Sequence, residues 1–106
     1  MEIPAQNVKR SAKLYQNVFG WKLNGDPENP GFEDGTGHVI GHWKIDLTVA
    51  GESGVLPYIF VENVVQILER VKANGGDVKK SPYPEGNLRV ATFSDPAGNV
   101  IGVWQK

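Results

Sequence analysis

The chain runs through one order of secondary structure twice, and this internal repeat constrains its fold more than any other feature of the sequence. In each half a short extended segment precedes an amphipathic helix, and about three short strands follow. Shifting the sequence by 56 residues against itself superposes four identical residues at matching structural points: Ile3 on Ile59, Asn7 on Asn63, Val8 on Val64 and Gly20 on Gly76. The repeat predicts an α+β fold of two βαβββ modules, at about residues 1–50 and 55–106. Neither module can cover its own helix and sheet, so we expect a single domain, residues 1–106, in which they bury each other.

Each predicted helix begins at an asparagine and ends at a glycine. Asn7 and Asn63 are good N-caps, because their side-chain oxygen can accept a hydrogen bond from the first helical turn. Gly20 ends the first helix, and Gly75-Gly76 ends the second, with Gly76 in the role of Gly20. Apolar residues at helical spacing define one buried stripe on each helix: Val8, Ala12, Tyr15 and Phe19, then Val64, Leu68 and Val71.

The strands are predicted from β-branched and aromatic residues between glycine- and proline-rich connections. They cover residues 1–4, 21–24, two or three short stretches within 32–50, and then 55–61, 77–83, 88–94 and 99–105. AGESG (50–54) is predicted as a loop, and DPAGN (95–99) as a hairpin turn whose Asp and Asn bond local backbone. In the last strand the central Gly102 indicates a bulge or a close approach to the backbone.

The charge balance argues against polyanionic partners. Eleven Lys and Arg oppose twelve Asp and Glu, giving a net charge of −1, so neither nucleic acid nor a membrane is an expected partner. No apolar run approaches the roughly 18 residues that cross a bilayer, and no signal peptide is recognisable. The chain has no cysteine, which excludes disulfides and thiolate zinc sites and fits a cytoplasmic location.

Three segments together resemble the vicinal oxygen chelate superfamily, which groups glyoxalase I, bleomycin-resistance proteins and extradiol dioxygenases. They are IPAQNVKRSAKLYQNVFGWKL (3–23), PYIFVENVVQILERVKANGGDV (57–78) and FSDPAGNVIGVWQ (93–105), in the family's order. The resemblance implies a curved mixed sheet around a cavity, with the helices outside, and a homodimer. It implies no single reaction, because one fold serves many activities.

Metal-dependent members of that family hold one divalent ion with His, Gln or Glu side chains from inward-facing strand positions. By the resemblance, these positions fall one residue before Met1, at Leu56, at Gly102, and near His42 or Lys44. Leucine and glycine offer no ligand atom, so we expect no metal and no other cofactor.

Glu2 and His42 are the candidates for proton transfer. Strand alternation turns Glu2 toward the same cavity as the position before Met1. His42 can act there as a hydrogen-bonding group or a general base near neutral pH. His38 and His42 cannot share a metal, since on a strand they would stand about 13 Å apart. The alternative for Glu2 and His42 is an ordinary solvated position.

The remaining candidates for ligand binding are mostly aromatic, as is typical of small-molecule sites. Alternation turns five residues toward the cavity, Tyr58, Phe60, Val100, Gly102 and Trp104, and four toward the helices, Ile59, Val61, Ile101 and Val103. Several aromatics on the other strands and loops are candidates for the cavity wall: Trp43, Trp21, Phe32, Tyr83 and Phe93. Arg89 is a candidate for contact with an anionic ligand. The alternative for the aromatics is a role in the core or at a dimer contact, and for Arg89 a solvated surface position.

From these observations we expect a metal-free protein that binds a small molecule, of the sequestering or resistance type. One alternative is an enzyme: a glyoxalase-like lyase or isomerase that uses Glu2 and His42, or a metal-dependent dioxygenase with non-standard ligands. Another is a module that senses a signal or binds a partner.

Overall fold

The computed structural model describes residues 1–51 and 54–106. Glu52 and Ser53, in the segment AGESG that is predicted as a loop, lie outside the described residues. No helix in the described part of the chain has the length and apolar character needed to cross a membrane.

In the described part of the chain, each half contributes one helix and four strands. The first half contains β1 (Glu2–Pro4), α1 (Val8–Phe19), β2 (Lys22–Asn24), β3 (Gly31–Glu33) and β4 (Ile40–Lys44). The second half contains β5 (Tyr58–Phe60), α2 (Val64–Ala73), β6 (Asp77–Glu85), β7 (Leu88–Ser94) and β8 (Val100–Gln105). The predicted order of elements is therefore confirmed, although β5 is shorter than the strand predicted over 55–61.

The two halves have the same sheet topology. The strand order is β1-β4-β3-β2 in the first sheet and β5-β8-β7-β6 in the second. In each, the first strand pairs parallel to the last, and the remaining pairs are antiparallel. The α+β fold class and the two βαβββ modules are thus confirmed. The strands form two four-stranded sheets rather than one continuous curved sheet.

The helix caps follow the prediction with one correction. Asn7 accepts a hydrogen bond from the backbone N–H of Arg10, and Asn63 accepts one from Gln66. Gly20 has a φ of 71° and ends α1 in the left-handed conformation. In α2 that role falls to Gly75, with a φ of 91°, and not to Gly76. Gly76 is instead needed for space, because a Cβ there would lie 2.7 Å from the carbonyl oxygen of Ser94.

One hydrophobic core is formed from both modules. The four residues predicted to lie under the helices, Ile59, Val61, Ile101 and Val103, all pack into it. Its first-module half is an aromatic stack in which Trp21 lies 4.7 Å from Tyr15 and 4.5 Å from Phe32, measured between ring centroids. Phe19 stacks on Phe93 at 5.8 Å and so joins α1 to β7 of the other module.

A buried polar network also joins the modules, and it is centred on Asp95. The predicted turn is confirmed, since Asp95 Oδ1 accepts hydrogen bonds from the backbone N–H groups of Ala97 and Asn99. The other oxygen, Oδ2, accepts from the Tyr15 hydroxyl at 3.0 Å and from Asn99 Nδ2 at 2.8 Å. Asn99 Nδ2 also donates to the Pro4 carbonyl at 2.7 Å. One turn of the second module thereby binds both α1 and β1 of the first.

Burial is the main influence on the pKa values of Tyr15 and Asp95 in this network. It raises the pKa of Tyr15 well above its ordinary value, and the nearby Asp95 carboxylate adds to the rise. Burial also raises the pKa of Asp95, although the hydrogen bonds from Asn99, Tyr15 and Ala97 act in the opposite direction. The Tyr15 hydroxyl therefore stays protonated and donates at neutral pH.

Replacing Tyr15 with Phe tests the contribution of this network. The ring keeps its place in the stack, but Asp95 Oδ2 loses a donor inside the core, so we expect the free energy of unfolding to fall by about 1 kcal/mol. Chemical denaturation measures the change. Asn17→Ala is the matched control, because it removes an exposed hydrogen bond to Asn74 that also joins the modules. That control should shift stability by no more than about 0.5 kcal/mol, and equal losses in the two variants would contradict the assignment.

Candidate functional site

The face of the second sheet that points away from the helices is lined by aromatic rings. Tyr58, Phe60 and Trp104 lie there on β5 and β8, as predicted, and Tyr83 joins them from β6. Phe60 and Trp104 are register partners whose ring centroids stand 4.8 Å apart at 65°. The Phe60 side chain is 50% exposed. We call these four residues the aromatic face.

Gly102 provides the space in which one of these rings lies. It is the register partner of Tyr58. A Cβ on Gly102 would stand 2.8 Å from Tyr58 Cγ and still closer to Cδ2 and Cε2 of the same ring. Any side chain larger than hydrogen at position 102 would therefore have to displace the phenol.

A cluster of ionisable side chains occupies the matching position on the first sheet. Glu2 Oε2 lies 3.3 Å from His42 Nε2 and 3.8 Å from Lys44 Nζ, and Lys44 Nζ also lies 3.8 Å from Asp46. The Glu2 and His42 side chains are both about half exposed. The structure therefore brings the two candidates for proton transfer together, in a setting that water reaches.

Two pairs of residues hold equivalent places in the two modules. Glu2 pairs with His42 between the parallel strands β1 and β4, and Tyr58 pairs with Gly102 between the parallel strands β5 and β8. The equivalent positions therefore differ in chemistry: two ionisable side chains meet in the first module, and a phenol ring lies over a glycine in the second.

Two predicted residues are not brought to these faces. Trp43 lies on the core side of β4, 4% exposed and 4.9 Å from the Phe32 ring, and its Nε1 has no hydrogen-bond partner in the described part of the chain. It points opposite to His42 because neighbouring strand residues alternate. Arg89 alternates with Val90 in the same way, and it shares a shallow depression with Gln105 and Lys106 at one end of the second sheet.

A cleft of about 790 Å³ separates the modules on the side where β1 and β5 form the edges of their sheets. Met1 and Ile3 line it from one side, and residues 57–61 line it from the other. Of the predicted ligand-binding residues only Tyr58 and Phe60 reach it. Gln66 and Arg70 of α2 also border the cleft and were not predicted, although their spacing of four residues places them on one face of the helix.

Tyr83 is one of the aromatic residues that the sequence offered for the cavity wall, and it reaches the aromatic face from β6. The pairing of β6 with β7 shifts register between Val78 and Lys80 and again between Lys80 and Tyr83. The two shifts offset each other at Tyr83, which pairs with Val90 and lies on the same face as Asp77, as simple alternation along β6 also predicts.

The side chains at the expected ligand positions do not fit a divalent metal. Leu56 is apolar, and Gly102 lies under the Tyr58 ring. Within residues 1–51 and 54–106, no three His, Cys, Asp or Glu side chains are grouped so that they could hold one ion. Glu2 and His42 together offer only two side chains that could coordinate a metal ion.

Comparison with known proteins identifies relatives for nearly the whole chain. Residues 1–103 match the family described as Glyoxalase/Bleomycin resistance protein/Dioxygenase superfamily. A lactoylglutathione lyase of Haemophilus influenzae is 30% identical over 110 residues, which cover 90% of this chain and 82% of that protein. The lactoylglutathione lyase of Neisseria meningitidis is 28% identical, and the match covers 94% of this chain and 83% of that protein.

Solved structures with the same fold share less sequence. The genomically encoded fosfomycin resistance protein FosX from Listeria monocytogenes superposes with a TM-score of 0.81 at 14% identity, covering 100% of this chain and 89% of that one. A glyoxalase/bleomycin resistance protein/dioxygenase family enzyme from Burkholderia phytofirmans gives 0.78 at 18% identity, with 99% and 94% covered. At these identities the likeness concerns the fold.

A double-mutant cycle tests the packing of Tyr58 on Gly102. Gly102→Ala alone is expected to lower the free energy of unfolding by about 1 kcal/mol or more, because the added methyl collides with the ring. In a Tyr58→Ala background the same change should cost nothing or stabilise slightly, since alanine suits a strand better than glycine.

Gly35→Ala serves as the control, because nothing lies within 4 Å of its Cβ position. Its effect should be the same in both backgrounds. Thermal and denaturant unfolding of the set measure the coupling, and additive effects of Gly102→Ala and Tyr58→Ala would rule out the contact.

Proposed function

The chain belongs to the glyoxalase/bleomycin resistance protein/dioxygenase superfamily, and from this premise we propose that it is a metal-free member that binds a small molecule on its aromatic face. The observation that carries the proposal is the Tyr58 ring lying over Gly102. A metal-binding side chain at position 102 would have to expel this ring. Leu56, at the other expected position of the second module, has only methyl groups to offer.

The exposed rings support a binding role for this face. Phe60 and Trp104 form an edge-to-face pair beside Tyr58, and Phe60 leaves half of its surface in water. Contiguous apolar surface of this kind on a small protein usually marks a site of interaction. Aromatic walls with a few polar groups suit a small organic ligand.

A second candidate function is that of a glyoxalase-like lyase or isomerase. It is favoured by the distance of 3.3 Å between Glu2 and His42 and by the relatives named lactoylglutathione lyase. In that case one of the two groups would remove a proton from the substrate and the other would return it. A metal-dependent dioxygenase has less support, because no three His, Cys, Asp or Glu side chains of the described residues are grouped so that they could hold its ion.

We also propose that the protein is a cytoplasmic homodimer. Apolar surface away from the aromatic face remains open to solvent, for example at Ile40 of β4, which is 67% exposed. A second copy would cover part of this surface and the free edges of β1 and β5. The lack of cysteine is compatible with a reducing compartment.

Metal analysis tests the leading proposal. Protein purified without chelator should contain no stoichiometric Ni, Zn, Fe or Mn by mass spectrometry, and added metal should not raise its Tm. The matched control is a triple variant, Leu56→His, Gly102→Glu and Tyr58→Ala, which supplies ligand atoms and removes the obstructing ring. Only this variant should be stabilised by metal. Stoichiometric metal in the natural protein that is lost in His42→Ala would overturn the proposal.

An activity assay separates the two candidate functions. The leading proposal predicts no turnover when the protein is mixed with S-lactoylglutathione or with the precursors from which a lyase would form it. Measurable turnover that disappears in Glu2→Gln and in His42→Gln would establish the second candidate instead. Glu28→Gln is the control for loss of charge, because the Glu28 side chain is exposed and forms a surface ion pair with Lys9.

A further inference from the structure

Two asparagines of this chain are followed directly by glycine: Asn24 by Gly25, and Asn74 by Gly75. In such a pair the glycine backbone nitrogen can attack the asparagine Cγ, because no Cβ obstructs the approach. A C–N bond forms, the glycine N–H proton passes through solvent to the departing nitrogen, and ammonia leaves behind a succinimide ring. Water then opens the ring to aspartate or isoaspartate. Since water is the only co-reactant, the local structure decides how fast each pair reacts.

The two glycines do not distinguish the pairs. Gly25 has a φ of 75° and Gly75 a φ of 91°, so both adopt the left-handed conformation. The difference therefore lies in how firmly the structure holds each asparagine.

Asn74 is held by hydrogen bonds of its side chain and of its backbone. Its Nδ2 donates to the Arg70 carbonyl at 2.8 Å, and its Oδ1 accepts from Asn17 Nδ2 at 2.9 Å. The backbone N–H groups of Asn74 and Gly76 both donate to the Val71 carbonyl, at 3.1 Å and 2.9 Å. Closing the succinimide ring would break the side-chain bonds and rotate the backbone of this turn, so the reaction has to wait for a local opening.

Asn24 lies in a much looser setting. It is the last residue of β2, a strand of three residues at the edge of the first sheet, and its partner Gly31 forms the final pair with β3. Its side chain is exposed, and among the described residues it has no hydrogen-bond partner. The end of a short edge strand opens at little cost in free energy. The backbone at Asn24 therefore reaches the conformation for ring closure more often than the turn at Asn74.

We propose that Asn24 is a site of spontaneous covalent modification, where loss of the amide gives aspartate and isoaspartate, and that hydrogen bonds protect Asn74 from the same reaction. The product at Asn24 carries a new carboxylate two residues from Asp26. As isoaspartate it also lengthens the backbone by one carbon at the end of β2. The modification begins at the outer edge of the first sheet, and the inference does not depend on the proposed function.

Incubation in water enriched in oxygen-18 measures both rates in one sample, because ring opening places one solvent oxygen in each product. Digestion with trypsin in ordinary water then separates the sites, since Asn24 lies in the peptide 23–44 and Asn74 in the peptide 73–79. Mass spectrometry counts the label. Asn29, also in the first peptide, precedes a proline, which has no N–H to give up. Synthetic peptides of the two sequences give the rates without tertiary structure.

In the folded protein we expect Asn24 to take up label roughly 5-fold faster than Asn74, or more, since ring closure at Asn74 has to break hydrogen bonds. The two synthetic peptides should differ less than this. Asn17→Ala is the matched variant, because it removes one of the two bonds to the Asn74 amide. It should raise the rate at Asn74 by roughly 2- to 10-fold and leave the rate at Asn24 unchanged.

Three outcomes would overturn the inference. The first is label at Asn74 that appears as fast as label at Asn24 in the folded protein. The second is no label at Asn24 in the protein although its peptide reacts, which would show that the end of β2 stays closed. The third is an unchanged rate at Asn74 in Asn17→Ala, which would show that the hydrogen bond to its amide gives no protection.

Discussion

Asp95 accepts hydrogen bonds from the turn that it begins and from Tyr15 of the other module, and the relative position of the two halves depends on this side chain. Within residues 1–51 and 54–106 the two sheets share no strand pairing, so their alignment rests on contacts made by side chains. Asn99 extends the same network to the Pro4 carbonyl, and Phe19 stacks on Phe93 nearby. A buried carboxylate without hydrogen-bond partners destabilises a protein. Asp95 accepts four hydrogen bonds, and it can do so only when the two modules are arranged as they are here.

The candidate site illustrates how a duplicated architecture can diverge at one register position. In the first module the pair between the parallel strands is Glu2 and His42, and in the second it is Tyr58 and Gly102. The backbone relationship is the same, but the second pair has exchanged ionisable atoms for a ring packed on a bare backbone. That exchange accounts for the poor fit of a metal and for the aromatic character of the surface.

Sequence reasoning succeeded where the relevant interactions are local. The asparagine caps of both helices, the Asp95 turn and the span of β7, residues 88–94, were all predicted, because capping, turn formation and strand alternation involve neighbours in the chain. It failed where a local pattern is interrupted. In α2 the left-handed residue is Gly75 and not Gly76, because this helix ends earlier than the repeat predicts. Trp43 could have been assigned to the core from the sequence, since it cannot share a face with His42 on a strand.

The sequence by itself determined the repeated βαβββ order, the ends of the helices and the lack of ligand atoms at Leu56 and Gly102, since these follow from residue type and spacing. Only the tertiary structure decided what fills the space at Gly102, because the Tyr58 ring arrives there through pairing with a strand more than forty positions away. The tertiary structure likewise brings Glu2 within 3.3 Å of His42 and forms the hydrogen bond from Tyr15 to Asp95. Contacts between distant parts of a chain depend on register and on the packing of whole elements, and neither is written in any short stretch of residues.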